Sequence, residues 1–347
     1  MNGKMKAAVL VNLKQIEIQE MDIPAPAADE ALIRVKAVGL CGSDVHYYEH
    51  GKIGPYVVEK PIILGHEAAG EIVALGSGVR HLNVGQRVTI EPGVTCGRCE
   101  HCKSGRYNLC PEVRFLATPP HDGAFCEYIA IRADFLYPIP DHMSYERAAL
   151  IEPFSVGLHA VRRGKLQPGE TVVIMGMGPI GMLAIAAAKA AGAQRIIGVD
   201  MESFRLEKAL LMGATHTVNL RDEDAVQAIE RITGGRKADL AIETAGNGRA
   251  AQNALASVRR GGRVVLVGLP PQNETALSIP YIVDNEIDMY GVFRYHNTYP
   301  TGVELLSGDS IDLEPIITDY MSLDETAAAF EKAIHEKNST LKIVIRP

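Results

Sequence analysis

Residues 171–188 read TVVIMGMGPIGMLAIAAA, eighteen positions without a charge. As one helix the run would be long enough to cross a bilayer. Its centre argues otherwise, because Gly176, Gly178, Pro179 and Gly181 fall where a spanning helix must be unbroken. A β-branched run precedes them and an Ala-rich run follows, which predicts strand, tight turn and helix. In such a turn the first glycine permits the reversal and the second lets a pyrophosphate approach the backbone. The third allows the helix, opened here by Pro179 and Ile180, to pack on the strand with the phosphates at its N-terminus. The next strand is expected to end at Asp200, 19 residues after Gly181, where a carboxylate binds a ribose 2'-hydroxyl and repels a 2'-phosphate. Together these features predict a site for NAD rather than NADP. Arg205 lies close enough to stack on adenine or to meet a phosphate.

Around this motif the pattern alternates regularly. Strands are expected near 171–176, 196–200, 216–220, 238–243, 263–268 and 287–292, with helices at 179–191, 203–212, 224–233 and 249–259. Six strands with crossover helices make a doubly wound parallel sheet, an α/β fold. Backbone contacts to the nicotinamide half of the cofactor are expected after two of these strands, at Gly268, Leu269 and Pro270 and at Val292, Phe293 and Arg294. From Met5 to about Phe135, short strand-like runs such as 6–11, 31–38, 70–75 and 87–90 are punctuated by Gly and Pro, a mostly β region with long loops. A short helix at 299–306, an amphipathic one at 324–337 and a strand at 342–345 close the chain. Lying beyond the sixth strand, this tail is expected to return to the first region. One domain is then inserted in another: residues 1–153 and 294–347 form the catalytic domain and 154–293 the NAD-binding domain.

The 347 residues suit about two domains. Hydrophobic residues at 47% and charged ones at 22% describe a globular chain rather than a disordered or fibrous one. A formal charge of -7, with no dense Lys/Arg run, excludes the electrostatic footprint of a nucleic-acid binder or a polybasic membrane contact. Lys4 and Lys6 precede only five apolar residues, too short a core for a secretory signal, so a cytoplasmic location is expected.

Of six cysteines, Cys96, Cys99, Cys102 and Cys110 form C-x2-C-x2-C-x7-C in a polar loop. Four thiolates in so short a span match a closed tetrahedral zinc site, which has no open position and acts as a staple. Iron–sulfur ligation is the alternative, disfavoured by the polar neighbours Glu100, His101, Lys103 and Arg106. Cys41, His66 and Glu67 offer a second donor set of thiolate, imidazole and carboxylate, which can hold zinc and leave one position for water or substrate. Cys126 is left as a small buried residue.

Several motifs carry a resemblance that covers nearly the whole chain: CGSDVHYY (41–48), GHEAAGEIVALGSGV (65–79), the four-cysteine loop, RFLATPPHDG (114–123), EPFSVGLHA (152–160), the glycine-rich turn with Asp200, and GVFRYHNTYP (291–300). The sequence resembles the zinc-dependent medium-chain alcohol dehydrogenases, and within them the polyol branch. The resemblance implies a GroES-like, mostly β catalytic domain holding an inserted Rossmann domain. It implies two zinc ions per chain, one catalytic and one structural, a homotetramer, and oxidation of a sugar alcohol such as sorbitol or xylitol to the ketose. It further implies that Glu67 is the third ligand of the reactive zinc, and that Glu152 holds the water at the fourth position or replaces it as a ligand. The sequence does not rank those two carboxylates. Ser43 and His46 match the hydroxyl and imidazole that relay the released proton in relatives, although Ser43 also reads as a helix cap. Tyr47, Phe115, Thr118, Glu152, Arg294 and Tyr295 are implied to line the substrate pocket, Arg294 as a donor to hydroxyls. Two rival readings stand: a secondary-alcohol dehydrogenase of the same fold acting on L-threonine or 2,3-butanediol, and a catalytically silent NAD- or zinc-binding interaction protein.

Overall fold

The computed structural model describes residues 3–270, 274–308 and 310–347, and its first apolar runs alternate and form strands. β1 (Lys4–Asn12) and β2 (Gln15–Asp22) pair as an antiparallel hairpin, followed by β3 (Glu30–Gly39) and helix α1 (Gly42–His50). A small hairpin of β4 (Lys52–Ile53) and β5 (Tyr56–Val57) leads to β6 (Ile62–Ile63), β7 (Glu67–Leu75) and β8 (Arg87–Ile90). The cysteine lobe lies between β9 (Gly93–Val94) and β10 (Arg114–Phe115) and contains the short helix α2 (Glu100–Lys103). After β11 (Tyr128–Arg132) and β12 (Leu136–Pro138) come α3 (Tyr145–Ala149) and α4 (Ile151–Arg163).

The quoted motif then forms β13 (Thr171–Met175) and α5 (Pro179–Ala190). Alternation continues through β14 (Arg195–Asp200), α6 (Ser203–Met212), β15 (His216–Asn219), α7 (Ala225–Ile232), β16 (Ala238–Glu243), α8 (Gly248–Ser257), β17 (Val258–Leu266), α9 (Ile279–Asp284) and β18 (Asp288–Gly291). The tail supplies α10 (Tyr299–Ser307), β19 (Ile317–Ser322), α11 (Thr326–His335) and β20 (Lys342–Arg346). No helix among the described residues is long and apolar enough to cross a membrane.

Two compact units result. The first contains the chain through Glu152, Tyr299–Ser310 and Ile317–Pro347; the second contains Pro153–Thr298 and Ile311–Ile316. The division expected at 293/294 therefore differs from the compact units, which keep 294–298 and 311–316 with the parallel sheet. Contacts such as the hydrogen bond from the Arg162 guanidinium to the Asn297 carbonyl, 2.8 Å, hold the first of these segments to α4.

The first unit is a mixed sheet of order β12-β8-β7-β3-β20-β19, in which β11 also pairs with β3, and a separate sheet β2-β1-β6. β20 lies antiparallel to β3 at Val344–Gly39 and Ile345–Val38, which brings the end of the chain to its first long strand. The tail helix α11 is fixed the same way: Phe330 lies 4.8 Å from the Tyr48 ring, and the Tyr48 hydroxyl donates to Glu331 at 2.7 Å. Such an aromatic pair contributes about 1 kcal/mol beyond the area it buries.

The second unit is a six-stranded parallel sheet, order β15-β14-β13-β16-β17-β18. Its order reverses next to β13, so ligands are expected at the carboxyl ends of β13 and its neighbours. β17 starts earlier than the expected 263 because Val258 already pairs with Ala238, across a register shift.

Candidate functional site

Cys41 caps the N-terminus of α1 with extended backbone, φ -95° and ψ 153°. Asp44, two residues beyond Gly42 and fully buried, accepts the Cys41 N–H at 3.0 Å and the Gly65 N–H at 3.0 Å. Its carboxylate also lies 3.6 Å from Nδ1 of His66. One carboxylate thus ties the loop carrying the thiol to the loop carrying the imidazole, and its charge lies beside the imidazole. The capping role assigned to Ser43 belongs instead to Cys41, and Ser43 sits inside the first turn. Asp44 was missed because its work is done on backbone groups; its position three residues after the cap was the available signal.

Glu67 begins β7 opposite Gly39 of β3. A Cβ at Gly39 would stand 2.0 Å from a Glu67 carboxylate oxygen, so the glycine is what lets this side chain turn inward. There Lys342, at the start of β20, donates to both carboxylate oxygens at 2.8 and 2.7 Å and to the Leu40 carbonyl at 2.9 Å. The pair is almost wholly buried, its side chains 2% and 1% exposed. Nothing local in sequence marks Lys342, which lies 275 residues from its partner.

The ligand atoms of Cys41, His66 and Glu67 lie within 4.8 Å of one another. Burial pulls the Lys342 ammonium below its ordinary pKa, yet Glu67, then Cys41 and Glu152, more than offset this and leave it raised. His66 behaves alike: burial lowers it, and Asp44 and Cys41 carry it well above the usual imidazole value. Positive charge is therefore favoured at this centre even though His66, Glu67 and Lys342 are buried. A borderline-soft donor set in such a field fits a divalent zinc with a fourth position left over. Asp44→Asn is expected to lower zinc affinity of this site and turnover about 10- to 100-fold, measured by chelator competition and steady-state rates, because it frees the imidazole.

The other residues expected here fall as follows. Glu152 is buried at the start of α4, Tyr47 is buried on α1, and Phe115 is buried on β10 with its ring 5.5 Å from that of His66. Thr118 is half-buried in a turn, donating its N–H to the Phe115 carbonyl at 3.1 Å. Ser43 is half-buried and His46 exposed, one helical turn apart on α1. Burial and the charge of His50, whose ring lies 4.6 Å away, hold the His46 pKa below its ordinary value against Glu49.

The four cysteine sulfurs also lie within 4.8 Å of one another. Cys96 receives the Cys99 N–H at 3.4 Å, Cys99 the Cys102 N–H at 3.4 Å, and Cys110 the Cys96 N–H at 3.5 Å. Backbone N–H groups of Arg98 and Cys99 bring the Cys96 thiol down to about 6. These donors favour thiolates while burial opposes them, pushing the Cys110 thiol up to about 11; four sulfurs gathered so closely, each a donor for a soft cation, fit a closed zinc site. It is anchored by Glu91, which accepts the Tyr107 hydroxyl of the lobe at 2.7 Å and the Tyr137 hydroxyl at 2.8 Å. A cavity of about 760 Å³ beside the lobe gathers charges of both signs, but Arg98 is already paired with Glu112 and Arg132 with Asp134. It presents no comparable donor set.

In the second unit Gly176 has φ 94°, Gly178 caps α5, and Pro179 and Ile180 open that helix. A Cβ on Gly181 would meet the Gly176 carbonyl oxygen at 1.8 Å, which is the close approach the third glycine allows. Asp200 ends β14, where one carboxylate oxygen accepts the Met177 N–H at 2.6 Å and the other accepts those of Met201 and Glu202 at 2.7 and 3.0 Å. It therefore braces the glycine-rich turn besides facing a cavity of about 270 Å³ lined by Gly176, Val199, Leu220, Ala245 and Ala250 among others. Arg205 is half-buried on α6. Leu269 is exposed on the loop with Gly268 and Pro270 after β17, and Val292 and Phe293 follow β18. Arg294 has φ 53° and lies with its guanidinium 4.8 Å from the Phe293 ring, while Tyr295 is buried. A non-glycine residue held at positive φ is strained, which occurs preferentially at functional sites.

Comparison with known proteins agrees with this geometry. Residues 27–141 match the alcohol dehydrogenase GroES-like domain and residues 179–308 the zinc-binding dehydrogenase family. A sorbitol dehydrogenase of Bacillus subtilis (strain 168) is 60% identical over 343 residues, covering 99% of this chain and 97% of the relative. That of Homo sapiens is 40% identical over 333 residues, 95% of this chain and 92% of the relative. Among solved structures, ECK1772 of Escherichia coli, an oxidoreductase/dehydrogenase of unknown specificity, aligns with a TM-score of 0.95 at 38% identity, covering 99% of both chains. With a GroES-like unit, a Rossmann unit and a full-length relative at this identity, the chain belongs to the zinc-dependent medium-chain alcohol dehydrogenases.

Proposed function

We propose that the chain is an NAD-dependent, zinc-containing polyol 2-dehydrogenase, oxidising a sugar alcohol such as sorbitol or xylitol to the corresponding ketose. The full-length similarity to a sorbitol dehydrogenase carries this reading, and the cluster of half-buried Cys41 with buried His66 and Glu67 supports it. Zinc would supply a Lewis acid that favours the alkoxide form of the substrate hydroxyl, and NAD would accept the carbinol hydride. Cys41, His66 and Glu67 would hold the metal, with Asp44 fixing the imidazole tautomer and Glu152 binding water or hydroxyl beside them. Ser43 and His46 would carry the released proton outward, from a half-buried hydroxyl to an exposed imidazole on one face of α1. The lowered pKa of His46 keeps it neutral, ready to accept, near neutral pH. Arg294 would donate to polyol hydroxyls, a service an apolar alcohol has no use for, and Tyr47, Phe115, Thr118 and Tyr295 are proposed as further substrate-binding residues.

Cys96, Cys99, Cys102 and Cys110 would hold a second, structural zinc. Six free cysteines suit a reducing, cytoplasmic compartment. A homotetramer is proposed, with the edge strand β18 offering unpaired backbone groups to a second copy. The direct test is a steady-state panel of four- to six-carbon polyols with zinc-replete protein, alongside L-threonine and 2,3-butanediol. NADH formation from a polyol is expected; none from any polyol overturns the reading.

Cofactor choice rests on Asp200. Asp200→Asn is expected to lower kcat/KM for NAD about 10- to 100-fold and shift the NAD:NADP preference toward NADP, since it removes a charge that accepts hydrogen bonds and repels a 2'-phosphate. An unchanged preference ratio in initial-rate assays would contradict the assignment.

A further inference from the structure

Glu243 ends β16, buried at 2% exposure, and no step of the proposed reaction uses it. Among the described residues its partners are backbone N–H groups: Gly246 at 2.7 Å, together with Ala245, Asn247 and Gly268. Three consecutive amides converging on one carboxylate form a nest, an arrangement that ordinarily binds an external anion. Here the chain supplies the anion itself. Burial pushes the Glu243 pKa above the usual carboxylate value, while the four N–H donors pull against it. Accepting from four donors is work for the ionised form.

The loops tied together this way follow β16 and β17, neighbours in the sheet. Their backbones touch, since a Cβ on Gly268 would lie 2.2 Å from the Gly246 nitrogen and 2.9 Å from a Glu243 carboxylate oxygen. On its other side the first loop meets the glycine-rich turn, where a Cβ on Gly176 would lie 2.9 Å from both the nitrogen and the Cβ of Ala245. Ala245 and Asn247 line the cavity that also contains Gly176 and Asp200. The carboxylate therefore lies behind the wall of the dinucleotide site and binds that wall to the 268–270 loop.

We propose that Glu243 is a positioning residue for the dinucleotide, its carboxylate filling the 245–247 nest so that these amides point inward and the two loops meet the cofactor already arranged. The proposal rests on the NAD reading of the second unit. An apolar side chain of the same size would take the carboxylate acceptor away from the 245–247 amides, while the Gly268 N–H would keep the Glu243 carbonyl at 3.1 Å, and the first loop would have to be ordered when the cofactor binds.

Equilibrium NADH binding by zinc-replete protein, followed by fluorescence without turnover, separates the two ideas. Binding by the unaltered protein tests the NAD reading; the difference in Glu243→Gln tests the inference. The amide keeps the size but turns an NH2 toward N–H donors, so the dissociation constants for NADH and NAD are expected to rise about tenfold. The polyol KM at saturating NAD is expected to stay within about twofold, and the zinc content to be unchanged. Wild-type NADH affinity with only a lower melting temperature would reduce Glu243 to a structural plug and overturn the proposal. So would a polyol KM that rises in step with the dinucleotide constants. If Glu243→Gln does not fold, Glu243→Asp decides: it keeps the charge on a shorter arm, and weaker NADH binding with unchanged polyol KM is expected, equal binding being contrary.

Discussion

Lys342→Met is expected to destabilise the protein by about 3–5 kcal/mol in chemical denaturation, the usual cost of removing one partner of a buried ion pair. The methionine fills the lysine's space, so no cavity explains the loss. What remains is the Glu67 carboxylate, 1% exposed, with its ammonium gone. The Leu40 carbonyl loses a donor in the same step. A double variant isolates the cause: Glu67→Gln combined with Lys342→Met is expected to recover about half of the loss or more, because a neutral amide tolerates burial better than an unpaired charge. A single variant within about 1 kcal/mol of the parent would show that the pair adds little, as exposed pairs do. The same substitution bears on the metal. Lys342 donates to both oxygens of the carboxylate that is proposed as a zinc ligand, so the lysine would set how much of Glu67 is available to a metal. Without it a bound zinc would become the principal counter-charge of Glu67, and the stability loss is expected to shrink when zinc is saturating.

How far the sequence reveals this site depends on what kind of information places each residue. The glycine-rich turn is legible because strand, turn and helix are contiguous and each glycine has a local steric reason, as the 1.8 Å approach of Gly181 to the Gly176 carbonyl shows. The cysteine lobe is legible for the same reason, its four sulfurs lying within 15 residues of sequence. Cys41 is separated in sequence from the adjacent His66 and Glu67, yet both sides belong to short motifs, and the β3–β7 pairing that opposes Gly39 to Glu67 brings them together. Lys342 belongs to no such motif. Its role follows from β20 pairing with β3 at the far end of the chain, a tertiary fact that periodicity cannot express. Asp44 and Glu243 were hidden differently: both act on backbone N–H groups, which have no side-chain signature. The expected boundary at 293/294 follows the end of a strand, which is local, whereas 294–298 group with the second unit through contacts such as Arg162 to Asn297, which are not.

Cys41→Ser is expected to lower kcat/KM for the polyol by about 10³-fold or more, the scale of losing a metal-centred contribution to the transition state. The neighbourhood should be little disturbed. Serine fits the cap position, and the Asp44 hydrogen bonds to residues 41 and 65 come from backbone N–H groups that the substitution keeps. The change is therefore one of chemistry: a neutral alcohol replaces a soft thiolate beside one imidazole and one carboxylate already engaged by Lys342. Metal analysis is expected to fall from two zinc ions per chain to one, with the cysteine lobe still loaded. Cys96→Ser should invert the pattern, losing its zinc and several degrees of melting temperature while the remaining metal supports turnover, because that lobe is a separate sulfur cluster anchored through Tyr107 on Glu91. The two variants also separate the enzyme from a silent zinc-binding protein. In a silent protein both cysteines would be structural, and both substitutions would act only on stability. Turnover left intact by Cys41→Ser would show that the clustered thiol, imidazole and carboxylate are not the reactive centre.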